Sequence, residues 1–245
     1  MSKKRGILYG LGVGPGDPEL VTLKAARVLN SADVVFAAAS TKNSYSMAVS
    51  IAKPHIPDLT AVRMLRFPMT RDKEALKKAW IEHAETIIKE CEAGKNVAFL
   101  TLGDSMTYST YGYIMQNVKE LAPDLPIISV PGITSYQAAA AATNTPLVEG
   151  EESLLVTSGA KGGDRIRDLE CHPDTVAILK AYRNVDDICQ ALDEAGMKGS
   201  SVAVSNCSLP EQKIHWDIQA LCDQKPEYWT LVIAKKNGKH DGTHQ

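Results

Sequence analysis

The sequence has few cysteines and no long apolar run, and these shortages exclude several classes of protein. The five cysteines, none of them in a C-x-x-C pair, are Cys91, Cys171, Cys189, Cys207 and Cys222. A scattered, odd count predicts reduced thiols and argues against a disulfide framework or a zinc site. No apolar stretch approaches the roughly 18 residues that are needed to cross a bilayer. The apolar stretch that follows the basic N-terminus is interrupted by glycines, whereas the core of a signal peptide is continuous. We therefore expect a cytoplasmic protein with no protein-bound metal and no membrane partner.

A surplus of positive charge is also missing. The chain carries 27 Lys and Arg against 29 Asp and Glu, a net charge of −2. Without a positive surplus there is no bulk attraction to nucleic acid, so we expect no nucleic-acid partner. The 44% hydrophobic and 23% charged residues are typical of a globular chain, and 245 residues suit one large domain or two small ones.

The first half of the chain alternates strand and helix patterns. Apolar runs predict strands at 6–13, 32–39, 61–67, 97–102 and 127–130. Helical spacing and capping residues predict helices from Asp17 through Leu29, and at 45–53, 72–93 and 108–121. His83 lies on the apolar side of the long helix and is predicted to pack there rather than bind a metal. Repeated β-α-β units predict a mainly parallel sheet covered by helices.

The second half is richer in β-branched strands. Strands are predicted at 154–157, 176–182, 202–208 and 229–235, and helices at 135–142, 185–194 and 216–222. This pattern predicts a second, smaller α/β domain with a mixed sheet. We therefore expect an N-terminal domain at 1–132, a C-terminal domain at 133–236 and a flexible polar tail at 237–245.

A glycine-rich segment lies between the first strand and the first helix, where nucleotide-binding loops are found. It contains Gly10, Gly12, Gly14 and Gly16, but the spacing does not fit G-x-G-x-x-G, and no Gly-Lys-Ser/Thr follows. Asp17 also places a negative charge where a phosphate would bind. These differences argue against a dinucleotide or nucleoside-triphosphate site. A tight turn is the simpler alternative, although it would not need four glycines.

Three other loops follow predicted strands, at 102–107, 131–135 and 206–212. Ligands of open α/β sheets bind at the carboxyl ends of strands. These loops offer backbone N–H groups, small hydroxyls and the carboxylate of Asp104, which suit a nucleoside or an amino-acid moiety. Each loop taken alone is also typical of an ordinary turn.

Taken together, these segments resemble the tetrapyrrole methyltransferase family from Leu8 to about Lys235. The matching motifs are G-x-G-P-G-D-P-E-L-x-T-x-K-A at 12–25, L-G-D at 102–104, P-G-I-T-S at 131–135 and N-x-S-x-P-E-Q at 206–212. Within the family, residues 67–70 and 103–110 are similar to the branch that methylates C20 of precorrin-2. Ser105 departs from the family pattern, which usually has proline there.

The resemblance implies a two-domain α/β homodimer that holds S-adenosylmethionine in a cleft between the domains. The positions that match cofactor-binding residues of the family are Pro15, Leu102, Gly103, Asp104, Thr134, Ser135, Ala181, Tyr182, Cys207 and Thr230. The implied substrate is precorrin-2 or cobalt-factor II, methylated at C20 on the way to cobalamin. The product's meso carbon must lose a proton, and Asp104 is the candidate base, with capping of its own loop as the alternative.

The substrate carries eight carboxylates, so basic side chains should contact it. The candidates, taken from predicted loops, are Arg66, Arg71, Lys161, Arg165 and Arg167. Two alternatives to the C20 reaction stay open. One is a methyltransferase of the same family with another acceptor, either another corrin position or the modified histidine of diphthine synthesis. The other is a non-catalytic nucleoside-binding protein.

Overall fold

The five strands predicted in the first half form one parallel sheet. They are β1 (Leu8–Gly12), β2 (Val34–Ser40), β3 (Ala61–Phe67), β4 (Val97–Thr101) and β5 (Ile127–Val130). Their order is β3-β2-β4-β1-β5, and all of the pairings are parallel. The computed structural model describes residues 4–40, 46–68, 70, 72–168, 173–222 and 226–236.

Alternate residues of β2 face two separate cores. Val35 and Ala37 pack with α1 (Leu23–Ser31) and α2 (Met47–Ala52), whereas Val34 and Phe36 pack with α3 (Lys73–Glu92) and α4 (Thr110–Leu121). The strand therefore buries both of its faces, which explains why its sequence is continuously apolar. The parallel sheet and its covering helices confirm the predicted fold class.

The first helix begins later than the sequence predicted. Asp17 accepts a hydrogen bond from the backbone N–H of Glu19 at 2.8 Å, but it caps only a short 3₁₀ turn at Pro18–Leu20. The chain then becomes extended, and Thr22 caps α1 by accepting from the N–H of Ala25 at 3.2 Å. A second good capping residue follows the first so closely that it starts its own helix.

The second half contains a mixed five-stranded sheet, as predicted. Its strands are β6 (Leu154–Ser158), β7 (Thr175–Leu179), β8 (Ser201–Ser205), β9 (Lys213–His215) and β10 (Thr230–Lys235). Their order is β6-β7-β10-β8-β9, with β6 and β7 parallel and the other pairs antiparallel.

Four helices accompany this sheet in the described part of the second half. They are α5 (Ser135–Ala142), α6 (Asp164–Arg167), α7 (Val185–Glu194) and α8 (Gln219–Cys222). The sequence did not predict α6 or β9, and α8 is shorter than the predicted helix at 216–222. Elements of three or four residues are too short to show a period.

The chain divides into two compact units between Thr134 and Ser135. The predicted tail at 237–245 lies outside the described residues. None of the described helices is both long enough and apolar enough to cross a membrane.

Candidate functional site

The loops that follow β1 and β4 are joined by backbone hydrogen bonds. The N–H of Gly14 donates to the carbonyl of Gly103 at 3.1 Å, and the N–H of Gly103 donates to the carbonyl of Gly14 at 2.7 Å. Both glycines have positive φ angles, 80° and 71°, which other residues rarely adopt. Because β1 and β4 are parallel neighbours, their carboxyl ends lie at the same edge of the sheet, and the two loops meet there.

The loop after β5 reaches the same place. A Cβ atom on Gly12 would lie 2.6 Å from the Gly103 oxygen and 2.7 Å from the Gly132 nitrogen. A Cβ on Gly10 would overlap the ring of Tyr111. The glycine-rich segment is therefore needed for close packing of its own backbone against neighbours, which explains its composition without a bound phosphate.

Asp104 connects two of these loops. Its Oδ1 accepts hydrogen bonds from the Met106 N–H at 2.8 Å and the Thr107 hydroxyl at 3.2 Å. Its Oδ2 accepts from the Gly132 N–H at 2.9 Å. Oδ1 thus caps the loop that contains Asp104, and Oδ2 holds that loop against the loop after β5.

Ser105 adds a further connection between the same loops. It is fully buried, and its hydroxyl donates to the Val130 carbonyl at 3.0 Å. Proline, the usual residue at this position in the family, has no hydroxyl to donate. The departure at Ser105 therefore supplies a hydrogen bond that this chain uses.

Five of the sequence-predicted cofactor residues lie in these three loops. We call these five residues the first edge: Pro15, Leu102, Gly103, Asp104 and Thr134. Leu102 is 39% exposed, and a Cβ on Gly103 would meet nothing closer than the Ile133 oxygen at 3.8 Å. The backbone at Gly103 therefore has room for a small group beside it. Ser135 follows Thr134 as the first residue of α5.

The remaining predicted cofactor residues lie together at one edge of the second sheet. Because β10 is antiparallel to β7 and β8, its start lies beside their ends. The Ala181 N–H donates to the Thr230 carbonyl at 2.8 Å, and the Asn206 N–H donates to the Trp229 carbonyl at 3.0 Å. We call Ala181, Tyr182, Cys207 and Thr230 the second edge.

Aromatic residues that the sequence reasoning missed extend the second edge. The Tyr182 ring lies 4.7 Å from the Tyr228 ring, and the Arg183 guanidinium lies 5.1 Å from the centre of the Tyr182 ring. Tyr228 is 62% exposed and packs edge-on against Trp229. Two adjacent aromatic residues at the start of the last predicted strand were the available signal.

Burial disfavours the charged forms of Cys207 in the second edge and of His215 near it. Burial raises the pKa of the Cys207 thiol. Burial also lowers the pKa of His215, which lies 3.4 Å from the Ser205 hydroxyl. In the part of the chain that the structure describes, no group of three or more His, Cys, Asp or Glu side chains is placed to hold a metal ion. Such an edge suits a neutral or nucleoside-like moiety.

The basic residues proposed for substrate carboxylates lie in different settings from those predicted. Arg66 lies on β3, and Arg165 and Arg167 lie on α6, rather than in loops. Arg167 forms ion pairs with Asp187 at 2.8 Å and Glu194 at 2.7 Å, which attach α6 to α7. Lys161 lies in an exposed 3₁₀ turn after β6, and Arg71 lies outside the described residues.

His83 is packed rather than available as a ligand, although it is only half-buried. Its ring contacts Phe67 edge-on at 4.7 Å, and its Nε2 lies 3.0 Å from the Arg66 carbonyl. It therefore fixes the end of β3.

Comparisons with known proteins agree with this arrangement. A family model for tetrapyrrole (corrin/porphyrin) methylases matches residues 7–221. A cobalt-precorrin-2 C(20)-methyltransferase of Salmonella typhimurium is 34% identical over 96% of this chain and 98% of that protein. A precorrin-2 C(20)-methyltransferase of Sinorhizobium sp. is 31% identical over 94% and 95% of the two chains. A uroporphyrin-III C-methyltransferase of Thermus thermophilus, solved with S-adenosylhomocysteine, has the same fold with a TM-score of 0.65, 24% identity, and coverage of 94% and 98%.

Proposed function

The chain belongs to the tetrapyrrole methylase family, and we infer that it transfers a methyl group from S-adenosylmethionine to C20 of precorrin-2 or cobalt-factor II in cobalamin biosynthesis. The observation that carries this proposal is the match to the Salmonella C20-methyltransferase, which covers nearly all of both chains. The Sinorhizobium relative acts, by its name, on precorrin-2 without cobalt. We therefore propose the C20 position for the reaction and include both forms of the acceptor.

The residues of the two edges fit S-adenosylmethionine in their chemistry. Gly103 has no side chain and leaves room for a small group beside its backbone, which suits close approach of an amino-acid or nucleoside moiety. Asp104 supplies a negative charge for a cationic ligand. Ala181, Cys207 and Thr230 are small and buried, with no ionised group among them. We propose that both edges, together with Ser135, bind the cofactor.

S-adenosylmethionine supplies the methyl group and a neutral thioether leaving group. The protein therefore needs no nucleophilic side chain, and its main contribution is to hold the acceptor carbon in line with the methyl group. This requirement agrees with the neutral Cys207 thiol. The loops joined at Gly14 and Gly103 give the first edge the rigidity that such alignment demands.

Asp104 is proposed to shape the first edge. Both of its oxygens already accept hydrogen bonds from Met106, Thr107 and Gly132. These bonds favour the loop-capping role over the role of base, and the proton lost from C20 would then go to solvent. The base role stays a prediction that the Asp104→Asn variant tests below.

Exposed basic residues are proposed to contact the substrate carboxylates. Arg66, Lys161 and Arg165 are exposed in the structure. Arg167 is a weaker candidate because its guanidinium is used by Asp187 and Glu194. Arg71 keeps its place among the candidates from the sequence.

The test is methylation with a labelled methyl group. Purified protein is mixed with methyl-¹³C S-adenosylmethionine and either precorrin-2 or cobalt-factor II, and the product is analysed by mass spectrometry and ¹³C NMR. One added methyl at C20 supports the proposal, and the faster acceptor identifies the metal state. Addition elsewhere would indicate another family member, whereas cofactor binding without turnover would indicate a nucleoside-binding protein. Unchanged activity after treatment with EDTA would agree with the absence of a protein-bound metal.

We also propose a homodimer in the cytoplasm. Exposed apolar side chains of the first unit, including Met106, Tyr108 and Tyr113, offer a surface for association. Cys91 and Cys207 are free thiols, the state that a reducing compartment favours. Light scattering on the purified protein measures its mass and tests the dimer directly.

A further inference from the structure

Glu227 contacts several of the chain segments that form the second edge. Its carboxylate accepts hydrogen bonds from the Asn206 amide and from the Lys213 ammonium group, the latter at 2.7 Å. Its backbone carbonyl accepts from the Thr230 hydroxyl at 2.7 Å. One residue therefore links the loop after β8, strand β9 and the start of β10. The resemblance to the family did not point to it.

The loop after β8 depends on such outside support. Asn206 and Ser208 have φ angles of 51° and 63°, and the buried Cys207 lies between them. Residues with a side chain adopt these angles at a cost, so other contacts must hold them there. The Asn206 backbone is held by Trp229, and its side chain is held by Glu227. The hydrogen bonds from Lys213 and Asn206 lower the pKa of the Glu227 carboxyl, which keeps it ionised.

The hydroxyl groups behind this contact have one consistent hydrogen-bond direction. The Thr230 hydroxyl donates its only hydrogen to the Glu227 carbonyl, so Ser205 must donate to Thr230, at 2.8 Å. Ser205 can then only accept at its contact with the His215 Nε2 atom. Hydrogen bonds are therefore donated in one direction, from His215 to Ser205, from Ser205 to Thr230 and from Thr230 to Glu227. The backbone carbonyl of Glu227 thus fixes the rotamer of Thr230. Its side chain holds the loop that contains Cys207.

We propose that Glu227 is a positioning residue for S-adenosylmethionine, acting through the contact of its side chain with Asn206. The proposal rests on the proposed function, since it assumes that the second edge binds this cofactor. Loss of the Glu227 side chain should free the Asn206 loop and weaken cofactor binding. Once the cofactor is bound, the edge is in place, so turnover at saturation should change little.

The experiment measures binding of S-adenosylhomocysteine by calorimetry and methylation of precorrin-2 by the purified full-length protein. Glu227→Ala should raise the dissociation constant and the KM for S-adenosylmethionine about tenfold, as expected for loss of a hydrogen bond to a charged group. Its kcat should stay within about twofold of the native value. Glu227→Gln should restore affinity, because its carboxamide oxygen can still accept from Asn206. Glu151→Ala, which removes an exposed glutamate elsewhere in the same unit, is the matched control.

Asn206→Ala provides the second variant, because alanine loses the contact with Glu227 and, unlike glycine, still adopts the φ angle of 51° at a cost. It should weaken binding as Glu227→Ala does. Native affinity in either variant, or a fall in kcat without a rise in KM, overturns the proposal. Weak binding by Glu227→Gln as well would also overturn it, since the carboxamide should suffice. A native protein that binds no S-adenosylhomocysteine overturns the proposed function itself, and this proposal with it.

Discussion

Gly14 and Gly103 exchange two backbone hydrogen bonds beyond the ends of the parallel strands β1 and β4. The bridge is antiparallel although the strands are parallel, so the two chains change direction relative to each other within two residues of the strand ends. It holds Pro15, next to Gly14, at a fixed distance from Asp104, next to Gly103. Main-chain hydrogen bonds thereby connect the loops that carry two residues predicted to bind the same cofactor.

Alanine at Gly12 should disturb this arrangement. Its Cβ would press on the backbones of Gly103 and Gly132, which cannot move aside independently. We expect a loss of about 1–3 kcal/mol in the free energy of unfolding and weaker binding of S-adenosylhomocysteine. The control is Gly112→Ala in α4, where no atom lies within 4 Å of the new Cβ and alanine should stabilise the helix by up to about 1 kcal/mol. Equal stability of the two variants in urea denaturation would contradict the prediction.

The variant Asp104→Asn distinguishes the two roles of that residue. Asparagine has an NH₂ group, which cannot accept a hydrogen bond, in place of one carboxylate oxygen. At either position this group would face an N–H or hydroxyl donor. If Asp104 shapes the loop, as proposed, S-adenosylhomocysteine affinity and turnover should fall together, by about 10- to 100-fold for a bond worth 1.5–3 kcal/mol.

A catalytic base would behave differently. Affinity would then stay within a few-fold of the native value, while the single-turnover rate would fall by about 10²–10⁴. Calorimetry and rapid mixing on the same variant separate these outcomes, with Asp124→Asn in the exposed turn before β5 as the control. Native turnover in Asp104→Asn would remove the residue from both roles.

Much of the fold was predictable because periodicity and capping are local properties. The predicted bounds of β3, β5, α5 and α7 agree with the structure. The start of α1 was wrong because Asp17 and Thr22 are both good capping residues, and only packing decides between them. Strand β9 was missed because its three residues are defined by pairing with β8.

The candidate site was predictable in part. The carboxyl ends of parallel strands must share an edge, so the meeting of the glycine segment with the loops at 102–107 and 131–135 follows from topology. The hydrogen bond between Asp104 and Gly132 could not be predicted, since it depends on the path of two loops. The contacts of Glu227 could not be predicted for the same reason, because Asn206 and Thr230 meet it only in the folded chain.

Substitution of Arg167 should change the stability of the protein, whereas substitution of Arg165 should change its affinity for substrate. Arg167→Ala removes the ion pairs between α6 and α7, so we expect a lower melting temperature with little change in the KM for precorrin-2. Arg165→Ala should leave the melting temperature unchanged and raise that KM if this side chain contacts substrate carboxylates. The reverse pattern would contradict the assignment of Arg167 as structural.

The thiols should be unreactive in the folded protein. Burial, with the negative charges of Glu90 and Glu92, raises the pKa of Cys91 to about 12, so only about 10⁻⁴ of it is thiolate at pH 8. Burial likewise raises the pKa of Cys207. We expect slow alkylation of both by iodoacetamide, slower still at Cys207 with S-adenosylhomocysteine present. In denaturant without reductant all five cysteines should react, and a smaller number would contradict the reduced state.

Stability should fall as the pH decreases from neutrality. Burial lowers the pKa of His215 below 6.5 in the folded state, so the unfolded chain binds the proton more readily. The free energy of unfolding should therefore decrease as the pH falls from about 6.5 toward the folded-state pKa. In His215→Gln this part of the decrease should disappear, while the glutamine amide can still donate to Ser205. Identical slopes between pH 7.5 and 5.5 for the two proteins would contradict the prediction.

Strand β1 precedes the other strands of its sheet along the chain, but it completes its pairing only when β5 has been made. Leu8 lies beside Val97 on β4 and beside Ile127 on β5, so its neighbours appear only after most of the unit has been made. Until then β1 is an apolar strand without neighbouring strands to pair with. This slows folding and favours aggregation. The hydrogen bond between Asp104 and Gly132 needs the loop after β5, so a nascent chain that ends before Gly132 has an incomplete first edge.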